Sequence, residues 1–558
     1  MDTGKVLVIG VDAATFDLID PWAAEGILPN FRRLMENGTR GTLWTVPNMN
    51  SAPAWTSFAT GKNPGKHGIY FFTRPKPSTY EMEVINGSYR DGLTFWQIAS
   101  QYGKRVGVIN VPMTYPADAV NGFLISGLDT PGKHAPGWVF PSDLMAQIPQ
   151  ELGEYIIECG LPSYAKSGRL DKGLDVAHQT IEQRTRYSLY LMDNHPWDLF
   201  VTVYTSIDAV QHYFWRHMLL SGKSTPQKHR FQNAIRAAYI QVDQAIGELV
   251  RQAPLGTTVI IVSDHGAGSA LYGFRNLRDW LVTHGYMTLK NTESTATLQM
   301  IKNSLLRQSY RWLDAHFSRE FKLFLSRSLP GIRSKIEANI GFAQVDWART
   351  QLYFDMGVEL RVNLKGREPR GIVEPGEEYE ALRDEVIAAL LKWRDPKSDV
   401  RFVADVKRRE EVYTGPHLAE AADLLIRWND ASELPAIYDA NGDNQRDYGV
   451  RFDPDINGGH RLNGILIAHG PGIKSGCDTH GAQIWDVAPT ALYLAGVSIP
   501  KDMDGKLLRQ IFVKQLLEQR PPEYVDLEGI DLPRLETRLS GEDEELVKER
   551  LRGLGYIE

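Results

Sequence analysis

The sequence predicts an α/β protein with a doubly wound, mostly parallel sheet flanked by helices and an inserted, mainly helical cap. Three observations carry this expectation. Short β-branched runs of strand length recur along the chain, at residues 5–10, 105–111, 199–204 and 257–263 among others. Helical stretches separate several of them, and that alternation is buried most simply as parallel strands with helices on both faces. The rhythm stops near Ala270 and resumes near Glu420, which marks an insertion.

The elements follow in chain order. Residues 5–10 form an apolar run that passes through Gly10-Val11-Asp12, so a buried parallel strand carries an aspartate at its carboxyl end. Leu28-Pro29-Asn30 opens a helix with Phe31, Leu34 and Met35 on one face and Asn37-Gly38 as its C-cap. Further strands are expected at 122–126, 424–428 and 464–468, all in the same sheet, and helices at 93–102 and 234–252. Residues 1–270 and 420–515 are expected to form one discontinuous α/β domain around an insert at 271–419. A C-terminal extension, 516–558, carries Ser540-Gly541-Glu542-Asp543 as the cap of a terminal helix.

Composition narrows the classes of function. The 558 residues are 42% hydrophobic and 23% charged, enough apolar material for a large core and unlike a disordered or fibrous chain. With 69 acidic and 62 basic residues the net charge is −7, so the chain lacks the basic excess of a general nucleic-acid binder. Cys159 and Cys477 are the only cysteines, which excludes a disulfide scaffold and a four-cysteine zinc module. Any metal chemistry therefore rests on carboxylates and the 14 histidines. The N-terminal apolar run is too short for a secretory h-region and no run is long enough for a membrane span, so a cytoplasmic protein is expected.

Four segments place metal-type ligands after an apolar strand or in a glycine-rich loop. They are Ile9-Gly10-Val11-Asp12, Ser206-Ile207-Asp208 with His212, Val262-Ser263-Asp264-His265-Gly266, and Gly458-Gly459-His460. Sites in open α/β sheets form beyond the carboxyl ends of strands, so ligands far apart in sequence can converge there. Asp208 and His212 are one helical turn apart and share a face. Asp264-His265 needs an irregular loop to aim both side chains inward, and Gly266 and Gly268 permit one. Singly, an aspartate after a strand reads as a turn former and a histidine as a satisfied polar group. Together the three carboxylates and three imidazoles suit two divalent ions, zinc first, with manganese or iron as alternatives. Ser51, in Asn50-Ser51-Ala52-Pro53, is expected to cap a helix ending near Gly61 and to serve as a nucleophile; Thr56, Ser57 and Thr60 are weaker candidates inside that helix.

These residues resemble the alkaline phosphatase superfamily, in its type I phosphodiesterase/nucleotide pyrophosphatase branch. Ser51-Ala52-Pro53, Thr60-Gly61, Pro64 and His67-Gly68-Ile69 match that branch's helix pattern, and Asp208 with His212, Asp264-His265 and His460 match its later motifs. The resemblance covers the sheet-forming segments and implies an alkaline-phosphatase-like fold. It also implies that Asp12, Asp264 and His265 hold one metal, that Asp208, His212 and His460 hold the other, and that Ser51 lies near both. His67 falls in the pattern as a structural residue. The asparagine that steadies the substrate phosphate has no assigned position; Asn48 and Asn50 are nearby candidates. The segment around Asn363-Leu364-Lys365-Gly366-Arg367-Glu368 resembles a subgroup of predicted phosphohydrolases or phosphomutases.

The expected activity is hydrolysis of a small phosphodiester or phosphomonoester, such as a nucleotide or lipid head group, through a phosphoseryl intermediate on Ser51. A phosphomutase, with Lys365 and Arg367 lining a pocket, or a phospho-alcohol transferase would use the same site. A non-catalytic protein in peripheral contact with a membrane surface is the alternative from another class. It draws on residues 302–335, where eight Lys and Arg against two acidic residues are interleaved with aromatics, a pattern that also fits helices with a solvated basic face. A sulfatase is disfavoured, because Ser51-Ala52-Pro53-Ala54-Trp55 lacks the arginine of that signature.

Overall fold

Val6–Val11 becomes the centre of a nine-stranded sheet because it is apolar on both faces. Leu7, Ile9 and Val11 enter one apolar cluster with the helices Leu170–Asn194 and Ala234–Gln252, while Val6 and Val8 enter a second with Ser51–Thr60 and Val487–Leu494. A computed structural model describes residues 4–219, 230–290, 345–355, 359–395, 398–430, 456–527 and 539–553. The strand order is Cys477–Gln483, Thr39–Trp44, Asn463–His469, Thr258–Val262, Val6–Val11, Leu199–Tyr204, Val106–Ile109, Gly122–Ile125 and Val139–Phe140.

The sheet is mostly parallel and doubly wound, as expected. Val6–Val11 runs parallel to Leu199–Tyr204 and Thr258–Val262, and Val106–Ile109 runs parallel to both its neighbours. Asn463–His469 and the edge strand Val139–Phe140 are antiparallel to the strands they pair with. Thr39–Trp44 was not foreseen. It starts directly after Gly38, where a Cβ would run into the Ala468 carbonyl, so this glycine serves a close strand approach, while Asn37 alone is the C-cap of Pro29–Glu36. Parallel pairing sends the carboxyl ends of Val6–Val11, Leu199–Tyr204 and Thr258–Val262 to one edge of the sheet.

Among the described residues of the insert expected as a mainly helical cap at 271–419 are the helices Tyr272–Thr283 and Glu377–Lys392, together with a sheet that was not foreseen. That sheet is four-stranded and antiparallel, ordered Leu352–Asp355, Glu359–Val362, Leu424–Trp428 and Val403–Arg408. Leu424–Trp428 was expected in the main sheet. It pairs instead through Leu424 with Leu360, and the insert's chain therefore runs past residue 419. A short apolar run identifies a strand but not its partner. Lys365 pairs with Glu374, and Arg367 makes two bonds of 2.7 Å to the buried Asp423, so both have partners within the insert. Residues 302–335 lie outside the described residues. Among the described residues, no helix is long and apolar enough to cross a membrane.

The terminal helix Gly541–Gly553 is capped as expected, with Asp543 N donating to Ser540 Oγ at 3.2 Å. It buries Val547 and Leu551 in the main core, and Arg550 donates to the Leu128 carbonyl at 2.8 Å.

Candidate active site

All six expected ligands meet at the carboxyl edge of the sheet, in two groups: Asp12, Asp264 and His265, and Asp208, His212 and His460. Asp12 directly follows Val6–Val11, and Asp264-His265 follows Thr258–Val262. Asp208 lies in the first turn of Ser206–Leu219, with His212 one turn later, and His212 Nε2 stands 3.2 Å from Asp208 Oδ1. His460 arrives from far along the chain through a two-stranded antiparallel ladder in which Ala267 faces it. Gly266 and Gly268 belong to this ladder and do not supply the irregular loop expected of them. A Cβ at Gly266 would strike the Asn463 carbonyl, and one at Gly268 the Arg461 guanidinium. A Cβ at Gly458 would likewise run into the Gln211 carbonyl, so this glycine lets the ladder reach the helix that carries His212.

The three imidazoles are oriented alike. Nδ1 of His265, His212 and His460 faces the carbonyls of Gly266, Gly458 and Met49 at 3.0, 3.2 and 2.7 Å. Each Nδ1 therefore carries the proton, and each Nε2 presents a lone pair to the site. His265 Nε2 is 3.2 Å from Asp264 Oδ2 and 3.7 Å from Asp12 Oδ1. His212 Nε2 and His460 Nε2 are 2.9 Å apart, and His460 Nε2 is 3.5 Å from Asp208 Oδ1. The His265 and His460 rings stack with centroids 3.7 Å apart and join the two clusters.

Each carboxylate of the first cluster is held by one oxygen. Trp55 Nε1 donates to Asp12 Oδ2 at 3.3 Å, and Ala13 N donates to Asp264 Oδ1 at 3.2 Å. Trp55 can come this close because position 10 is glycine: a Cβ there would lie 2.6 Å from the indole. The other oxygens, Asp12 Oδ1 and Asp264 Oδ2, are buried without a hydrogen-bond partner. Burial, and then the charges of Asp264 and Asp208, raise Asp12 well above the usual carboxylate range. Burial acts on Asp208 as well, and only positive charge at His212 and His460 would hold that carboxyl well below the range. Burial and the neighbouring His265 push His460 down to about 4.

Ser51 stands beside the first cluster, its Oγ 3.0 Å from His265 Nε2. It is the first residue of Ser51–Thr60 and not the cap. Asn50 caps the helix, its Oδ1 accepting from Ala52 N at 3.1 Å, which leaves the Ser51 hydroxyl directed at the site. The weaker candidates are engaged elsewhere: Thr56 and Thr60 bond back to the Ala52 and Thr56 carbonyls, and Ser57 Oγ pairs with His67 Nε2 at 2.9 Å. His67 Nδ1 accepts from Ile69 N, so this buried ring braces the helix. Asn48 and Asn50, the candidates for holding a substrate phosphate, have structural partners. Asn48 Nδ2 donates to the Tyr70 carbonyl at 2.8 Å and to Glu359 Oε1 at 3.1 Å, and Asn50 is the cap. Trp55, the Met49 carbonyl and Glu359 were not foreseen, because an indole, a carbonyl or a lone glutamate has no sequence signature for these contacts.

The donor set fits divalent cations. Two buried carboxylate oxygens lack donors, and two imidazole lone pairs face each other across 2.9 Å. Both arrangements are costly without a positive charge between the groups. Three protein ligands per cluster leave a coordination position for a substrate oxygen.

The chain falls in a class of hydrolases acting on phosphate esters. Within that class the chain belongs to the type I phosphodiesterase / nucleotide pyrophosphatase family, whose model matches residues 6–432. No curated protein matches it. Among solved structures, murine ectonucleotide pyrophosphatase / phosphodiesterase 5 is 12% identical, with 91% of this chain and 100% of that chain covered and a TM-score of 0.48. Phosphonoacetate hydrolase from Sinorhizobium meliloti, in complex with phosphonoformate, is 13% identical, with 88% and 96% covered and a TM-score of 0.49.

Proposed function

We propose that this protein hydrolyses a small phosphodiester or phosphomonoester with Ser51 as nucleophile. Asp12, Asp264 and His265 would hold one divalent cation and Asp208, His212 and His460 the other, with zinc as the ion best suited to this oxygen and imidazole set. The observation that supports this reading is the 3.0 Å approach of Ser51 Oγ to His265 Nε2, beside the ring that His265 stacks on His460.

Ser51 Oγ attacks phosphorus, the bond to the leaving alcohol breaks, and the phosphoryl group rests on Ser51. Water then attacks the phosphoseryl group and releases the serine. Two in-line displacements give net retention at phosphorus. Bound cations would supply charge to balance the phosphoryl oxygens and ease ionisation of the attacking hydroxyl. The chain itself contributes three things. Asn50 takes over the capping that would otherwise occupy Ser51. The amino end of Ser51–Thr60 favours negative charge beside the serine. Carbonyls at Gly266, Gly458 and Met49 engage every Nδ1 and so turn every Nε2 toward the site.

The test compares wild type and Ser51→Ala on p-nitrophenyl phosphate, bis-p-nitrophenyl phosphate and nucleotides after loading with zinc. Ser51→Ala should lose about a thousandfold or more in kcat while keeping its metal. Near-normal turnover of any substrate by Ser51→Ala overturns the assignment. The ratio of diester to monoester rates decides between a phosphodiesterase and a phosphatase.

A further inference from the structure

We infer that Glu359, a residue of the insert, is a positioning residue for Ser51 and His460; this rests on the proposed role of Ser51. Glu359 begins the strand Glu359–Val362 and is 2% exposed. Its Oε1 accepts from Asn48 Nδ2, and Asn48 stands three residues before the serine. Asn48 Oδ1 in turn accepts from Asn50 N at 3.4 Å, and Asn50 caps the helix that Ser51 opens. Between them, Met49 has φ 54°, a left-handed conformation that a side chain other than glycine adopts at a cost. Its side chain is buried in the insert's apolar core. Its carbonyl accepts from His460 Nδ1 at 2.7 Å.

The turn at 48–50 is thus held from outside by the insert while it presents Ser51 and orients His460 on the inside. Such a turn does not hold its shape through local preference alone. The Glu359 carboxylate and the apolar seat of Met49 are the contacts on the insert's side. Removing the carboxylate leaves the Asn48 amide held by the Tyr70 carbonyl alone, and the cap and the Met49 carbonyl can then shift with it. A displacement of this kind acts on the rate of attack more than on substrate affinity.

The test is a double-mutant cycle with Glu359→Ala, Asn48→Ala and the pair, in zinc-loaded protein, reading kcat and KM on bis-p-nitrophenyl phosphate, zinc per chain and the thermal midpoint. Each single change should lower kcat about tenfold with KM within about threefold, and the pair should fall little below the worse single, because both break one link. Glu359→Gln keeps an acceptor oxygen and should restore most of the rate. Losses that multiply in the pair, a loss confined to KM, or a Glu359→Gln as slow as Glu359→Ala overturn the inference. If Glu359→Ala fails to fold, Asn48→Ala and Glu359→Gln still decide: a wild-type rate in Asn48→Ala overturns it. Ser51→Ala in the same assay separates the two readings. Turnover without Ser51 removes the nucleophile, whereas an inert Ser51→Ala beside an additive cycle removes only the role of Glu359.

Discussion

His212 Nε2 and His460 Nε2 face each other at 2.9 Å, although each ring commits its Nδ1 proton to a backbone carbonyl. Two lone pairs at this distance repel unless a cation lies between them and the nearby Asp208 carboxylate. Stripping the protein with a chelator should therefore lower its thermal midpoint, and zinc should restore it. A cation at about 100 times its Kd adds about 2.7 kcal/mol to stability. His460→Ala should lower the zinc bound per chain, measured by plasma mass spectrometry. An unmoved midpoint and no zinc uptake would contradict the cation reading.

Trp55 acts on the site through Asp12. Its indole N–H holds Asp12 Oδ2 and leaves Oδ1 for a cation. Trp55→Phe keeps the aromatic packing against Phe58 and removes only the donor. Loss of such a supporting hydrogen bond should weaken metal retention by about 10–100-fold, read by competition with a chromogenic chelator. Unchanged affinity would show that Asp12 needs no such support.

His67 gives stability a pH dependence. Burial, and then the charge of Arg90, push it well below its ordinary value of 6.5, so the folded protein holds it neutral. Below that value the unfolded chain takes up a proton that the folded chain refuses, and stability is lost as pH falls. The slope from one such group is at most about 1.4 kcal/mol per pH unit. Denaturant titrations from pH 7.5 to 5.5, as an order-of-magnitude window around the histidine range, should show a drop that is smaller in His67→Asn. Equal slopes in the two proteins would assign the drop to other groups.

Asp423 anchors the insert. It accepts from both Arg367 Nη atoms at 2.7 Å, from Tyr379 Oη at 2.6 Å and from Val362 N at 2.7 Å. Asp423→Ala leaves Arg367 facing an apolar gap and should cost about 3–5 kcal/mol. Chemical denaturation followed by tryptophan fluorescence should show the insert, with Trp347, Trp393 and Trp428 in or against its core, losing structure before the main sheet. One unshifted transition would mean that the pair contributes little.

Legibility in the sequence followed the range of the interaction. Asp208 and His212 were readable because one helical turn joins them. Asp12 and Asp264-His265 were readable because each follows a strand apolar on both faces. The capping of Ser51–Thr60 was misplaced by one residue, since Asn50 and Ser51 are both capping types and only the backbone path decides which side chain turns back. Leu424–Trp428 was recognised as a strand and assigned to the wrong sheet, because its own residues do not encode its partner. Gly266 and Gly268 were read for flexibility, where the structure uses their lack of a side chain.

The sequence alone determined the chemistry of the candidate ligands, the central parallel strands and the serine at the start of a helix, since these depend on residue type and local period. Tertiary structure decided which nitrogen each histidine presents, that the Asp12 and Asp264 oxygens are left without donors, and that an insert strand braces the turn before Ser51. Those outcomes depend on strand register and close packing between segments as far apart as Asp12 and His460. No local pattern carries that information.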